Sequence, residues 1–554
     1  MMPPSVRDWL PEEHLAFFLL DVVAELDLAG FYAAYRADGR GGSVYDPSMM
    51  VAVLLYAYCT GERSSRRIEQ RLAEDVAYRV VAFNQQPDHA TLARFRRRHQ
   101  DAIAELFSQV LTLCVRAGLV EAGVIAIDGT KFAANASFFA NRDQKALSAE
   151  LDGREKGTNT GKVTEKDADA ATQGVAESVA RDMAQGILDE AEAVDAAEDQ
   201  EHSDQRGGEL PPTWSGGRGR RERIRAALDE LQGRQVNDYE ARMAERAKKE
   251  AEQGRKLTGP KPSRNPTRRV GPSKANTTDP HSRIIAQATK GVVQGYNAQA
   301  AATVAHIVVA AEVTTTINDQ PHFLPMVNAV TENLNEAGHR DNVGTFVADA
   351  GYWTAANGTA DIGANVLIAT RKSVWRKTDK PDDDKLMVLA RVNRGELSQR
   401  QAGKILGVSH TWIRDMTKRY FGTEGQRITR LAEPEPEEWI PVIERVVRGE
   451  LSKRAAQDEL TVSNGRVNAM LAHVRGEAID PAIARKAMNE KLAEPTNAAL
   501  YKKRSSTIEP VFGNIKGNLG YRRFARRGLP AVNSEWRLIC TVHNLLKLRR
   551  TALA

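Results

Sequence analysis

At 554 residues the chain is long enough for several domains, and its hydrophobic content of 42% is that of a soluble globular protein. Its longest apolar run, Met49 to Cys59, is too short to span a bilayer, and its first residues hold no basic-then-apolar export pattern. Cys59, Cys114 and Cys540 have no paired spacing, which predicts reduced thiols, a cytoplasmic location and no membrane partner.

The net charge of +6 is unevenly spread. Residues 481–554 hold 15 Lys/Arg against 4 Asp/Glu, and residues 255–274 hold seven bases and no acid. By contrast, Asp189 to Asp204 hold eight acids and no base. Clustered positive charge suits a polyanion, because each neutralised phosphate releases a counterion; it equally suits a solvated surface.

Residues 1–118 read as helical. Asp46-Pro47 is a helix start, Met49 to Tyr58 a mostly buried helix, and Gly61 its end. Ser64 to Leu72 predict a second helix. Asp88 can cap a third, from His89 into Val115, which carries Arg94, Arg96, Arg97 and Arg98 around Phe95. Arginines spread round a helix cannot all be buried, so several face solvent or a ligand. Val124 to Ile127 is a short apolar run, as expected of a strand buried on both faces, ending in Asp128-Gly129-Thr130. Lys131 to Ser137 predict a returning strand and hence a hairpin.

Residues 141–270 are polar and read as an insertion, with a helix over Arg220–Glu252. Regular structure resumes near Asp279. Strands are expected at Gly291–Thr303, His306–Thr315, Thr345–Ala348 and Ala364–Thr370, with a helix at Phe323–Ala337. A second insertion contains a repeat: residues 391–413 and 445–467, offset by 54, are identical at 12 of 23 positions. The first copy fits a helix-turn-helix, with Gly403 at the helix contact, Gly407 in the turn and Ile413 in the core. His410, Thr411 and Arg414 then fall on its DNA-reading helix. The second copy departs at two of those three positions, with Gln457 and Thr461, and fits a reader or a structural element equally.

Asp128 and Asp349 share one context: each follows a four-residue apolar strand. Two carboxylates at neighbouring strand ends repel unless a cation lies between them. For either Asp alone, capping the next turn is the better account. Glu509 begins the apolar pattern Ile508, Val511, Phe512, Ile515, Leu519. Ser506-Thr507-Ile508-Glu509 fits a capping box, which needs no chemistry. Eight bases surround it: Lys502, Lys503, Arg504, Lys516, Arg522, Arg523, Arg526 and Arg527. That setting suits a metal ligand beside a phosphate track, and the two roles can coexist.

Together these residues resemble a bacterial insertion-sequence transposase of the DDE superfamily. Asp88-His-Ala-Thr-Leu-Ala-Arg-Phe-Arg-Arg-Arg-His99 is similar to the family's helical domain. Ile127-Asp128-Gly129-Thr130 and Asp349-Ala350-Gly351-Tyr352 resemble its two catalytic Asp segments. Asp279-Pro280 and Gln294-Gly-Tyr-Asn-Ala-Gln299 resemble the return into the core. Tyr501, Arg504, Glu509 and Lys516 resemble its Tyr-Arg-Glu-Lys signature, with four residues between Arg and Glu where three are commonest.

The resemblance implies an α/β (α+β multidomain) chain with an RNase H-like core, its mixed sheet flanked by helices. The organisation would be a helical DNA-binding domain (1–118), core (119–140), insertion (141–270), core (271–376), helical insertion (377–480) and a C-terminal part with the Glu helix (481–554). It further implies catalysis and metal binding by Asp128, Asp349 and Glu509 with two Mg²⁺ or Mn²⁺ ions. The DNA partners would be terminal inverted repeats and target, held by Tyr501, Arg504, Lys516, Arg522, Arg523 and the arginines of residues 94–98. A homodimer or higher oligomer would act on paired ends, in the cytoplasm at the nucleoid. An RNase H-like nuclease or resolvase, and an inactive or domesticated transposase that only binds DNA, are the alternatives.

Overall fold

The computed structural model describes residues 6–35, 45–155, 219–253, 261–262, 274–287, 291–370 and 387–553, the last without 390, 393–396, 407, 409, 411–412, 415–416, 418–433, 435, 461, 463 and 478. Two compact units divide it, Met1–Val347 with Lys502–Ala554, and Ala348–Tyr501.

The first unit opens with helices. Leu15–Glu25 is followed by Pro47–Cys59, whose start is fixed as the sequence implies: the Asp46 side chain accepts from Ser48 N, and Pro47 occupies the first turn. Almost every residue of Pro47–Cys59 is buried, and Gly61, at φ 79°, ends the run. Ser65–Glu74 and Val76–Val81 follow. Asp88 caps the next helix by accepting from Thr91 N at 2.6 Å, but this helix stops at Arg98, and a new one runs Gln100–Arg116. The single helix expected from His89 to Val115 is therefore two. The break falls at His99, whose buried ring packs against Phe31, Tyr35 and Phe95.

The sheet of this unit is built on β1 (Val124–Ala133). Its chain-order companions are β2 (Asn141–Asp143), β3 (Lys274–Asn276), β4 (Arg283–Gln287), β5 (Gly291–Thr303), β6 (Val308–Thr314) and β7 (Thr345–Ala348). The central pairing is antiparallel, β1 against β5, from Ile125↔Thr303 to Ala133↔Gly295. β7 lies along the other side of β1. β4 and β6 share the far edge of β5. The expected hairpin within residues 124–137 does not form. β1 runs straight through Asp128-Gly129-Thr130, because small partners, Ala298 and Ala300, wait opposite Thr130 and Asp128. A Cβ at Gly129 would meet the side-chain ends of Gln299 and Asp319, which would have to shift to admit it.

β2 and β3 form a separate two-stranded ladder, so the first insertion leaves and returns at one stem. Above it, Ile224, Ala227 and Leu231 of helix Gly219–Gln253 pack on Leu147 and Ala275. Helix Leu529–Ala552 covers the free edge of β6. Asn544 both donates to Val308 O and accepts from Val308 N, and Asn533 accepts from Val313 N. Side-chain amides thus satisfy backbone groups that an edge strand leaves open.

The second unit begins at the last residue of β7 and continues through β8 (Asn365–Ile368) and helix Pro481–Ala493 to Tyr501. Between them lie two small helical cores, one from each repeat copy. Leu389, Ala402 and Ile413 are buried in the first. Their counterparts 54 residues on, Ile443, Ala456 and Val467, are buried in the second. The flanking Val388, Val392, Leu406 and Val408 correspond likewise to Val442, Val446, Leu460 and Val462. The internal repeat is therefore a repeat of packing as well as of sequence. Gly407, Thr411 and Thr461 lie outside the described residues.

Candidate active site

Asp128 sits mid-strand on β1, and its Oδ1 accepts from Gly129 N at 2.8 Å. Its Oδ2 faces Arg504 Nη1 at 3.2 Å. The second guanidinium nitrogen, Nη2, lies 3.7 Å from Glu509 Oε1. One planar cation thus joins two carboxylates from opposite ends of the chain. Arg504 and Asp128 are mostly shielded, with side chains 18% and 22% exposed, whereas Glu509 is 63% exposed. The Arg504–Asp128 contact is a charge-assisted hydrogen bond, the stronger class, whereas the Glu509 contact is a looser ion pair.

The helix that carries both Arg504 and Glu509 runs Pro495–Gly513. Glu509 is not at its start, so the capping box does not form; the Ser506 hydroxyl bonds back to Lys503 O instead. Pro510, inside this helix, has no N–H for Ser506 O four residues earlier. His306, at the β5–β6 turn with φ 66°, takes that carbonyl through Nε2 at 3.0 Å. Lys547 Nζ donates to His306 Nδ1 at 3.1 Å, which puts the ring proton on Nε2. Sequence reasoning missed this support; the Pro within an apolar helical pattern was its one signal.

The helix ends in a π-helical turn, Asn514–Asn518, a form that recurs at functional sites. Lys516 projects from it onto β1. Its Nζ donates to Thr130 Oγ1 and, at 3.0 Å, to Lys131 O, and lies 4.8 Å from the Phe132 ring centre. Lys516 is therefore fixed two to three residues along the strand from Asp128. Arg522 and Arg523 are exposed just beyond, with Arg522 Nε donating to Lys516 O at 3.0 Å.

Arg526 and Arg527, by contrast, are buried. They bond Gln100 and Asn135, and burial lowers the Arg526 pKa to about 10. The buried Glu535 carboxylate accepts from the amides of Ala525 and Arg526 and so holds this loop's shape.

The other sequence candidates are distributed as follows. Asp349 directly follows β7 and belongs to the second unit, where its Oδ1 accepts from Gly351 N at 2.7 Å, the capping contact the sequence offered as an alternative. Tyr501 lies in the second unit, on the Arg504 helix. Arg94 and Arg98 are exposed and Arg97 half-buried. Arg96 is buried, donating to Arg63 O, Tyr58 Oη and Ser65 Oγ, so it holds the helices together and is not free to meet a ligand. His410 and Arg414 are exposed. Among the described residues no group of three or more His, Cys, Asp and Glu is gathered to hold a metal ion. No described helix is long and apolar enough to cross a membrane.

Residues 4–98 match a family described as a transposase domain (DUF772), and residues 452–549 match one described as a transposase DDE domain. The second match includes Arg504, Glu509 and Lys516 but neither Asp128 nor Asp349. No curated protein and no solved structure matches the chain. The chain is thus similar to a transposase domain near its N-terminus and to a transposase DDE domain near its C-terminus, the pairing found in insertion-sequence transposases of the DDE kind.

Proposed function

We propose that the protein cuts the ends of a mobile DNA element and joins them to target DNA, with an RNase H-like core and Asp128, Asp349 and Glu509 as its acidic set. The observation that carries this reading is the meeting of Asp128 and Glu509 on one guanidinium, beside Lys516 and below the exposed Arg522 and Arg523. Asp349 joins the set on its position, because it directly follows β7, the strand alongside β1.

The donor chemistry fits a hard divalent ion. Carboxylate oxygens are the ligands Mg²⁺ and Mn²⁺ favour, and the pair already requires a cation between its members. Bound there, two such ions supply Lewis-acid stabilisation to an in-line displacement at phosphorus. The chain's own residues do the rest. Gly129 N holds Asp128 Oδ1, and Arg504 holds Oδ2, the oxygen turned toward Glu509. Lys516, clamped to Thr130 and Lys131, keeps a fixed ammonium where a phosphate oxygen gains charge. Arg522 and Arg523 carry the strand beyond it. Arg94, Arg97 and Arg98, with His410, Thr411 and Arg414 of a helix-turn-helix in the first repeat copy, would read the terminal repeats. Two ends held together call for a homodimer or higher oligomer, acting on nucleoid DNA in the cytoplasm.

The test is Mg²⁺-dependent nicking of a duplex that carries the element's own end, followed by a search for a joined donor–target product. Nicking with joining supports the proposal. Nicking without joining favours a nuclease or resolvase, and binding without either favours a DNA-binding protein derived from a transposase.

A further inference from the structure

The two carboxylates proposed to hold the metal are already held by something else. Arg504 spans them, one nitrogen on Asp128 and the other toward Glu509. A guanidinium and a divalent cation cannot both sit between the same two oxygens. We propose that Arg504 is a built-in competitor of the metal: it keeps Asp128 and Glu509 paired in the metal-free enzyme and must give them up when the cation binds. The inference rests on the metal-site reading above and adds a residue that sets metal affinity.

The physical case is one of charge and access. Asp128 is mostly shielded from water, and a shielded carboxylate near a second one is costly unless a cation neutralises them. Arg504 supplies that charge from only five residues before Glu509 on the same helix, so it needs no loop movement to reach both. Displacing it exposes a guanidinium already beside the site and able to meet a phosphate. DNA that draws Arg504 away would then raise metal affinity, and metal would raise DNA affinity by the same factor. Empty carboxylates stay paired, and the metal is favoured only when a strand is present.

The experiment measures Mn²⁺ binding to the full chain without DNA, from the free-ion electron paramagnetic resonance signal. Wild type is compared with Arg504→Gln, Arg504→Lys, Arg522→Gln and Glu509→Gln. Competition predicts about tenfold tighter Mn²⁺ binding for Arg504→Gln, the size of a lost charge-assisted contact. Arg504→Lys should fall between it and wild type, because an ammonium keeps the charge but cannot span both acids. Arg522→Gln, which removes an equal charge without touching the carboxylates, should change the affinity far less.

Melting in EDTA and in Mn²⁺ gives a second readout: the metal-induced rise in Tm should be larger for Arg504→Gln than for wild type. Equal or weaker Mn²⁺ binding by Arg504→Gln, with wild type binding and Glu509→Gln impaired, overturns the competition and leaves the metal site standing. The same tightening in Arg522→Gln also overturns it, as a general field effect. No Mn²⁺ binding by wild type or Arg504→Gln overturns both readings.

Discussion

Asp128 and Asp349 are nearly interchangeable in sequence, each an Asp after four apolar residues with a Gly close behind, yet they are held in different ways. Asp128 lies inside a long strand, bonded on one oxygen to the next backbone amide and on the other to Arg504 of helix Pro495–Gly513. Asp349 lies past the end of a short strand, with Oδ1 on the amide of Gly351. The difference separates two ways of tethering a carboxylate. A local Asx contact fixes a turn, whereas a contact made across hundreds of residues assembles a site. Only the second ties the local sequence to the tertiary fold.

The largest expected effect tests whether that difference matters to chemistry. Asp128→Asn and Asp349→Asn each keep the side chain's size and remove its charge. If both carboxylates bind metal, each variant should lose Mg²⁺-dependent nicking by several orders of magnitude, because Lewis-acid stabilisation goes with the ligand. Binding of the end duplex in EDTA should survive. Asn caps turns about as well as Asp, so near-normal nicking by Asp349→Asn would confine that residue to its turn and break the three-carboxylate reading. The same result for Asp128→Asn would remove the site altogether.

A second comparison lies between the repeat copies. Their cores correspond position by position, so loss of a buried branched side chain should cost each a similar amount. Ile443→Ala and Leu389→Ala should each destabilise their own module by about 2–5 kcal/mol. Hydrogen exchange resolved along the chain measures this, with protection falling in the altered copy and holding in the β1–β5 ladder. A loss that spreads through the β1–β5 ladder would argue against modules with separate cores. Equal structural cost with unequal loss of end-DNA binding would assign DNA reading to the first copy.

Much of this was legible in the sequence, and the failures have physical causes. β5 and β7 keep the bounds that their apolar runs suggest, and Asp46 and Asp88 cap where expected, since both signals are local. Asp-Gly-Thr looks like a turn and so predicts too early an end to β1; the alanines that keep it extended come about 170 residues later. The true start of the Glu509 helix at Pro495 was hidden by a polar, alanine-containing first half with no apolar stripe. Nothing local distinguishes Arg96 from Arg94 and Arg97, so the sequence alone predicts a DNA contact for all three. Its burial depends on Arg63, Tyr58 and Ser65, more than 30 residues away. The Arg504 bridge could not be read from the sequence, because it exists only once β1 and helix Pro495–Gly513 meet.

The support behind the Glu509 helix should show a pH response of intermediate size. Burial lowers the His543 pKa to about 4 from the ordinary 6.5, so the folded chain keeps this ring neutral. Its Nε2 donates to His306 O, and its Nδ1 accepts from Asn514. Above pH 6.5 the contribution to stability is full. As pH falls from 6.5 toward 4, the unfolded chain takes up a proton that the folded chain refuses, and stability is lost across that window, by at most about 3 kcal/mol. His543→Gln should flatten the fall of Tm with pH between 6.5 and 4 relative to wild type. An unchanged slope would show that other groups set it.

The smallest expected effect concerns how Glu509 is aimed. Pro510 strips Ser506 O of its helical donor, and His306 replaces that donor from another part of the fold. His306→Asn is the fitting probe, because Asn tolerates the φ of 66° but is too short to reach the carbonyl. The contact is solvent-accessible, so water can take its place, and the stability cost should be only about 1 kcal/mol. If the contact also aims Glu509, nicking should slow several-fold while end-DNA affinity holds, since misplacement of a ligand costs rate more than binding. Pro510→Ala returns an N–H to the helix and supplies Ser506 O from within. The slowing caused by His306→Asn should therefore be smaller in a Pro510→Ala background than in the wild-type chain. Equal slowing in both backgrounds would mean that the His306 side chain acts through its contact with Lys547 instead, and that the helix needs no outside donor to hold Glu509 in place.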